Sequence, residues 1–150
     1  MSMNDRPFNT PFELSLHIVM LLDSVQAAFT IERITAYDFI AVYAQDFGFK
    51  GESLNGENGF AFSELTARRG IMKSAVKELV LDGAVHANDG KDGISYTLSD
   101  TGRSLTENLR SEYAVKYRNA VKQIHRRYRN KSDIELSKII NRQSAKALRR

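Results

Sequence analysis

The chain contains no cysteine, which excludes disulfides, thiolate metal sites and cysteine nucleophiles together. Long hydrophobic runs are also missing. Runs such as Ile18–Leu22 are far too short to cross a bilayer. Met1–Arg6 has no apolar core of the kind a signal peptide carries. The expectation is a cytoplasmic protein with no membrane partner. The three histidines, His17, His86 and His125, fall one to a region, at no spacing suited to a metal ion. Glycines cluster between Phe49 and Gly59, but no strand precedes them, no Gly-Lys-Ser/Thr follows, and no G-x-G-x-x-G is present. Carboxylates are plentiful, yet none falls in a pocket-forming motif. The sequence predicts no enzyme activity, no cofactor, no metal and no small-molecule substrate.

What the chain does have is punctuation for helices. Thr10-Pro11-Phe12-Glu13 is a capping box with proline at the first helical position. Behind it, Leu14 to Val25 is apolar nearly all round, which predicts a central buried helix. His17, inside this run, reads as a packed or polar-paired histidine. A second helix is expected between Thr30 and Gln45, ending at Asp46-Phe47-Gly48, and Phe49–Gly59 reads as a polar loop. Ser63 is the expected N-cap of a third helix, whose apolar positions are Leu65, Met72, Val76, Leu79 and Val80 and whose stop is Gly83. Two short runs, Ala84–Ala87 and Ile94–Leu98, flank an Asn-Asp-Gly tip and predict a hairpin. Ser99-Asp100-Thr101 can cap a further helix beginning near Gly102. Helix, glycine stop, hairpin and capped helix make the second half of a winged helix. The segment Tyr96-Thr97-Leu98-Ser99-Asp100-Thr101-Gly102-Arg103 resembles the close of the wing in many winged-helix regulators.

Beyond the wing, Leu105, Leu109, Tyr113, Tyr117, Val121, Ile124 and Tyr128 recur by threes and fours, predicting one long helix with a continuous seam. Asn130-Lys131-Ser132 breaks it, and Ser132-Asp133-Ile134-Glu135 is a second capping box opening a last amphipathic helix. The expected class is mainly α with a small β-hairpin, as a winged-helix domain over residues 6–110 and a basic helical extension over 111–150.

Charge is divided along the chain. Residues 1–100 carry 8 Lys and Arg against 14 Asp and Glu, while residues 101–150 carry 14 against 4. A body at −6 with a tail at +10 points to a polyanion or an acidic protein surface as partner. Candidate nucleic-acid contacts are Arg68, Arg69, Lys73 and Lys77 on the third helix, Lys91 at the wing tip, and Arg118, Lys122, Arg126, Arg127 and Arg129 on the long helix. Candidate partner contacts are Phe8, Phe12 and Leu16 at the start, with Tyr113, Tyr117, Val121, Ile124 and Tyr128 along the seam. The second and third helices stand more than ten residues apart, whereas a DNA-reading helix-turn-helix uses about three or four.

The order of motifs also resembles a family. Arg6-Pro7-Phe8-Asn9-Thr10-Pro11-Phe12-Glu13 looks like the opening of the middle components of ABC-three-component systems. Asp38-Phe39, Asp46-Phe47-Gly48, Ser63-Glu64-Leu65 with Arg68-Arg69, Gly83-Ala84-Val85, the Ile94–Thr97 strand and Leu109-Arg110-Ser111-Glu112-Tyr113 follow in the same order. The resemblance covers roughly residues 6–117 and leaves the basic tail unmatched. It implies an anti-phage defence system of the Lamassu type. The middle component there is a winged-helix assembly and regulatory subunit, encoded with an SMC/Rad50-like ATPase and an effector, often a nuclease. The competing reading is a stand-alone dimeric winged-helix transcriptional regulator that reads DNA through its third helix.

Overall fold

The structure is a computed structural model, and it describes residues 10–50 and 62–148. The helix α1 (Pro11–Val25) lies at the centre. Thr10 caps it, its hydroxyl accepting from the Glu13 amide at 3.2 Å. Leu14 and the whole run His17–Leu22 are buried, as an all-round apolar helix requires. A two-residue strand β1 (Phe29–Thr30) leads into α2 (Ile31–Val42), which Thr30 caps through the Arg33 amide. A 3-10 turn, Ala44–Phe47, ends at Gly48 with φ 81°. The anticipated loop Phe49–Gly59 lies mostly outside the described residues. The next helix, α3 (Phe62–Leu81), already includes Ser63, so Ser63 is not its N-cap.

At the other end of α3, Gly83 takes φ 80°. Its amide bonds to Val80 O at 3.1 Å and the Ala84 amide to Leu79 O at 2.9 Å, so the orphan carbonyls are satisfied as the chain turns. Strands β2 (Val85–Gly90) and β3 (Gly93–Leu98) form the hairpin, in a register that sets Val85 opposite Leu98. Strand β1 pairs with the other edge of β3, Phe29 opposite Tyr96, giving an antiparallel sheet of order β1-β3-β2. Two residues are too few to read as a strand in the sequence. Ser99 then caps α4 (Asp100–Thr106), accepting from the Gly102 amide at 3.0 Å.

The expected single helix from Leu105 to Tyr128 is two. After α4 the chain restarts at Ser111, whose hydroxyl accepts from the Ala114 amide, and α5 runs Glu112–Tyr128. The fourfold spacing of Leu105, Leu109 and Tyr113 continues across the break without a helix beneath it, and Leu105 is exposed. The last helix, α6 (Asp133–Leu148), opens on the predicted capping box: Glu135 N donates to Ser132 Oγ at 3.1 Å and Ser132 N to Glu135 Oε1 at 2.8 Å. Among the described residues, six α-helices and the small sheet match the expected mainly-α class with a hairpin.

Residue 110 marks no break in packing. Tyr117, Val121, Ile124 and Tyr128 of α5 belong to the same core as α1 and α2, and α6 adds Leu136 and Ile140 against α2. The α4 helix crosses the sheet closely at Gly102. A Cβ there would fall well inside van der Waals distance of the Ala84 carbonyl and of Leu98 Cδ1. Gly70, within α3, has nothing near its missing Cβ. Gly102→Ala should therefore lower stability by about 1–3 kcal/mol, since a backbone carbonyl must shift. Gly70→Ala should raise it by about 0.5–1 kcal/mol through helix propensity. Urea denaturation of both variants checks the opposite signs.

Candidate partner and nucleic-acid surfaces

An aspartate in the middle of an apolar helix must find a partner, because burying an unpaired carboxylate is very costly. Asp38 sits between Tyr37 and Phe39 on α2 and is 0% exposed. Its Oδ2 accepts from Arg68 Nη1 of α3 at 2.7 Å. Its Oδ1 accepts from the Tyr117 hydroxyl of α5 at 2.7 Å and faces His17 Nδ1 of α1 at 2.8 Å. An ionised carboxylate only accepts, so Nδ1 is the donor. On the far side of the imidazole, the Tyr113 hydroxyl lies 3.1 Å from Nε2. Burial alone would push the Asp38 carboxyl up. The Arg68 guanidinium, His17 and Tyr117 outweigh it and hold Asp38 at about 2. Burial and the Asp38 charge push the Tyr117 phenol far up, so it stays a neutral donor. The cluster joins four helices around a carboxylate that solvent does not reach.

This arrangement corrects the reading of Arg68. It is 2% exposed and committed to Asp38, so it is not on the outer face of α3 and cannot reach a nucleic acid. Arg69 is exposed and pairs with Glu32 of α2. Lys73 and Lys77 lie on the outer face, and Lys91 lies at the tip of the hairpin, flanked by exposed Asp89 and Asp92. Arg118 is half-buried, its Nη2 donating to Thr106 O at 2.8 Å. Arg127 donates to Phe47 O at 3.3 Å and stacks over the Phe49 ring at 4.0 Å. Lys122, Arg126 and Arg129 are exposed and in no salt bridge among the described residues.

The partner candidates divide in the same way. Tyr117, Val121, Ile124 and Tyr128 are buried in the chain's own core, so the seam is spent on α1 and α2 and not on a partner. Tyr113 and Leu16 are half-buried. Phe12 is 71% exposed on the first turn of α1. Phe8 lies outside the described residues. Periodicity gives no sign of a further apolar feature, a cleft of about 330 Å³ between α2, α3 and α6. Thr35, Ala36, Leu65, Ser137 and Ile140 line it, the Arg69–Glu32 pair borders it, and Ile134 stands at its edge, 70% exposed.

Nor does the sequence single out Arg33. From α2 it reaches the end of α5, Nη2 donating to Tyr128 O at 3.1 Å and Arg129 O at 3.3 Å. Nη1 donates to Lys131 O at 2.7 Å and to Asp133 Oδ1 at 3.2 Å, at the start of α6. Thr30 donates to the other oxygen of Asp133 at 2.6 Å. One guanidinium thus caps α5 and fixes the corner into α6. Among the described residues there is no group of three or more His, Cys, Asp or Glu able to hold a metal, and no helix long and apolar enough to cross a membrane.

Asp38→Asn should cost about 3–5 kcal/mol, because it removes one charge of a buried ion pair, Arg68 with Asp38. The pH dependence has a defined sign. The folded value of about 2 lies below the ordinary 3.8, so Asp38 contributes stability above about pH 4 that is lost as pH falls through about 2. Denaturation midpoints between about pH 5 and pH 2 should fall more steeply for the parent chain than for Asp38→Asn.

The comparison with known proteins agrees with the motif order. No curated protein and no solved structure matches the chain. The family described as ABC-three component (ABC-3C) system Middle Component 2 matches residues 7–150, which takes in the basic tail that the motifs alone do not cover. The chain therefore belongs to the Middle Component 2 family of ABC-three-component systems, and membership of a multi-component system implies protein partners.

Proposed function

We propose that the chain is a non-catalytic assembly and regulatory subunit of a bacterial anti-phage defence complex of the Lamassu type. It bridges an SMC/Rad50-like ATPase and a nuclease effector, and it contributes to DNA contact in the cytoplasm. The observation that carries this reading is the family match across residues 7–150. The disposition of side chains supports it. The buried polar groups around Asp38 are consumed in joining helices. Exposed apolar side chains, among them Phe12, Leu81 and Ile134, offer anchors to a protein partner. Among the described residues the order helix, strand, helix, helix, hairpin, with β3 central in the sheet, supports the reading of residues 6–110 as a winged-helix domain.

The regulator reading is weakened by the same side chains. Its reading helix, α3, gives up Arg68 to the core and Arg69 to Glu32. Co-purification of the tagged chain from its native operon tests the proposal. A large ATPase and an effector in fixed ratio are expected, and a lone homodimer would replace the subunit reading with the regulator. Phe12→Asp refines the test. Because Phe12 is exposed, the variant should fold with its stability within about 0.5 kcal/mol of the parent, yet recover less of the ATPase or effector. Full recovery would remove Phe12 from the interface.

A further inference from the structure

The basic residues divide into those that the fold has used and those it has left to solvent. On α3 and the hairpin, Arg68 is internal, Arg69 is paired and Lys91 stands between Asp89 and Asp92, which leaves two exposed cations, Lys73 and Lys77. Around the corner between α5 and α6 the balance is different. Lys122, Arg126 and Arg129 are exposed at spacings of four and three, and so share one face of α5. Lys138, Arg142 and Lys146 are exposed at spacings of four on α6, on the side away from buried Leu136, Ile140 and Ser144. Lys131 lies in the turn between the rows. The exposed carboxylate nearest in sequence, Glu135, is engaged with the Ser132 amide.

From this distribution we infer that the α5–α6 corner grips the phosphate backbone of duplex nucleic acid without reading its sequence. This rests on the DNA-contact part of the proposed function and names the surface that carries it. Each row extends roughly 10–12 Å at the rise of a helix, and both are held on a fixed frame because Arg33 ties the three carbonyls of the corner. A rigid array of cations neutralises phosphates with little ordering cost, and phosphate contacts carry no base information. Single-stranded nucleic acid is a poorer fit, since it is held by stacking on exposed aromatic rings. The α5 tyrosines that could have stacked are not available: Tyr117 and Tyr128 are buried, and Tyr113 is half-buried against His17.

The experiment is fluorescence anisotropy with the purified 150-residue chain, using two unrelated duplexes of equal length and one single strand, across roughly 50–200 mM salt. Equal affinity for both duplexes, weaker binding to the single strand and a steep salt dependence are expected. The triple variant Lys122→Gln, Arg126→Gln, Arg129→Gln should reduce the slope of log K against log salt by about 2–3. Lys73→Gln with Lys77→Gln should leave it unchanged. All five residues are exposed, so an unaltered thermal midpoint confirms that the variants fold. A preference between the duplexes, a preference for the single strand, or a slope moved by the α3 variant and not by the α5 variant would each overturn the inference. Absence of duplex binding at the lowest salt would overturn it too, in favour of an acidic protein surface. Co-purification with the ATPase is a separate readout, so complex membership survives or fails independently.

Discussion

A single carboxylate decides how the helices of this protein are turned. Asp38 has two oxygens, and hydrogen bonds from three other helices end on them. Apolar contacts tolerate a helix that rotates or slides by a fraction of a turn, because burial is non-directional. Hydrogen bonds of 2.7–2.8 Å do not, because their strength falls steeply with misalignment. The rotation of α1, α3 and α5 about α2 is therefore fixed by chemistry at one point. The apolar residues on either side, among them Ile34, Met72 and Val121, fill the space which that geometry leaves. Tertiary structure here is a core assembled around a charge.

Much of the fold is legible because helix ends are written in short local codes. Thr10, Thr30, Ser99 and Ser132 cap four helices, and Gly83 stops a fifth. Each needs only three or four neighbouring residues to be recognised. The expectations that fail depend on distant ones. Arg68 and Arg69 adjoin each other on α3, and helical periodicity alone does not say which of them turns inward. The answer lies 30 residues earlier, at Asp38. A carboxylate between Tyr37 and Phe39 is the available signal that a cation has to be internal. The α5 seam reads as a partner surface for a similar reason: a stripe of Tyr, Val and Ile has the same composition whether it meets its own domain or another. The restart at Ser111 is hidden because the apolar spacing runs on across the gap between α4 and α5.

Arginine accordingly has four distinct uses in one short chain. Arg68 is a buried counter-ion, Arg33 a cap for another helix's carbonyls, and Arg127 a lid on an aromatic ring. Arg126 and Arg129 are solvent-facing charges. Net charge does not distinguish among these roles, although a buried counter-ion such as Arg68 presents no charge to solvent. The acidic body and basic tail apparent from composition therefore give the sign of the surface potential but not its map. Family membership narrows the context in which that surface works.

The spacing of these contacts along the chain also bears on how the protein comes into being. Synthesis delivers α1 and α2 first, with Asp38 in place and neither of its distant partners yet made. Arg68 follows 30 residues later and Tyr117 79 residues later, while the carbonyl of Tyr128 that Arg33 holds is 95 residues away from it. Contacts at such separations close large loops before they return any stabilisation. The nascent chain cannot complete its centre until α5 has left the ribosome. Until then α1, which buries Leu14 and the whole run His17–Leu22, has no α5 to cover it.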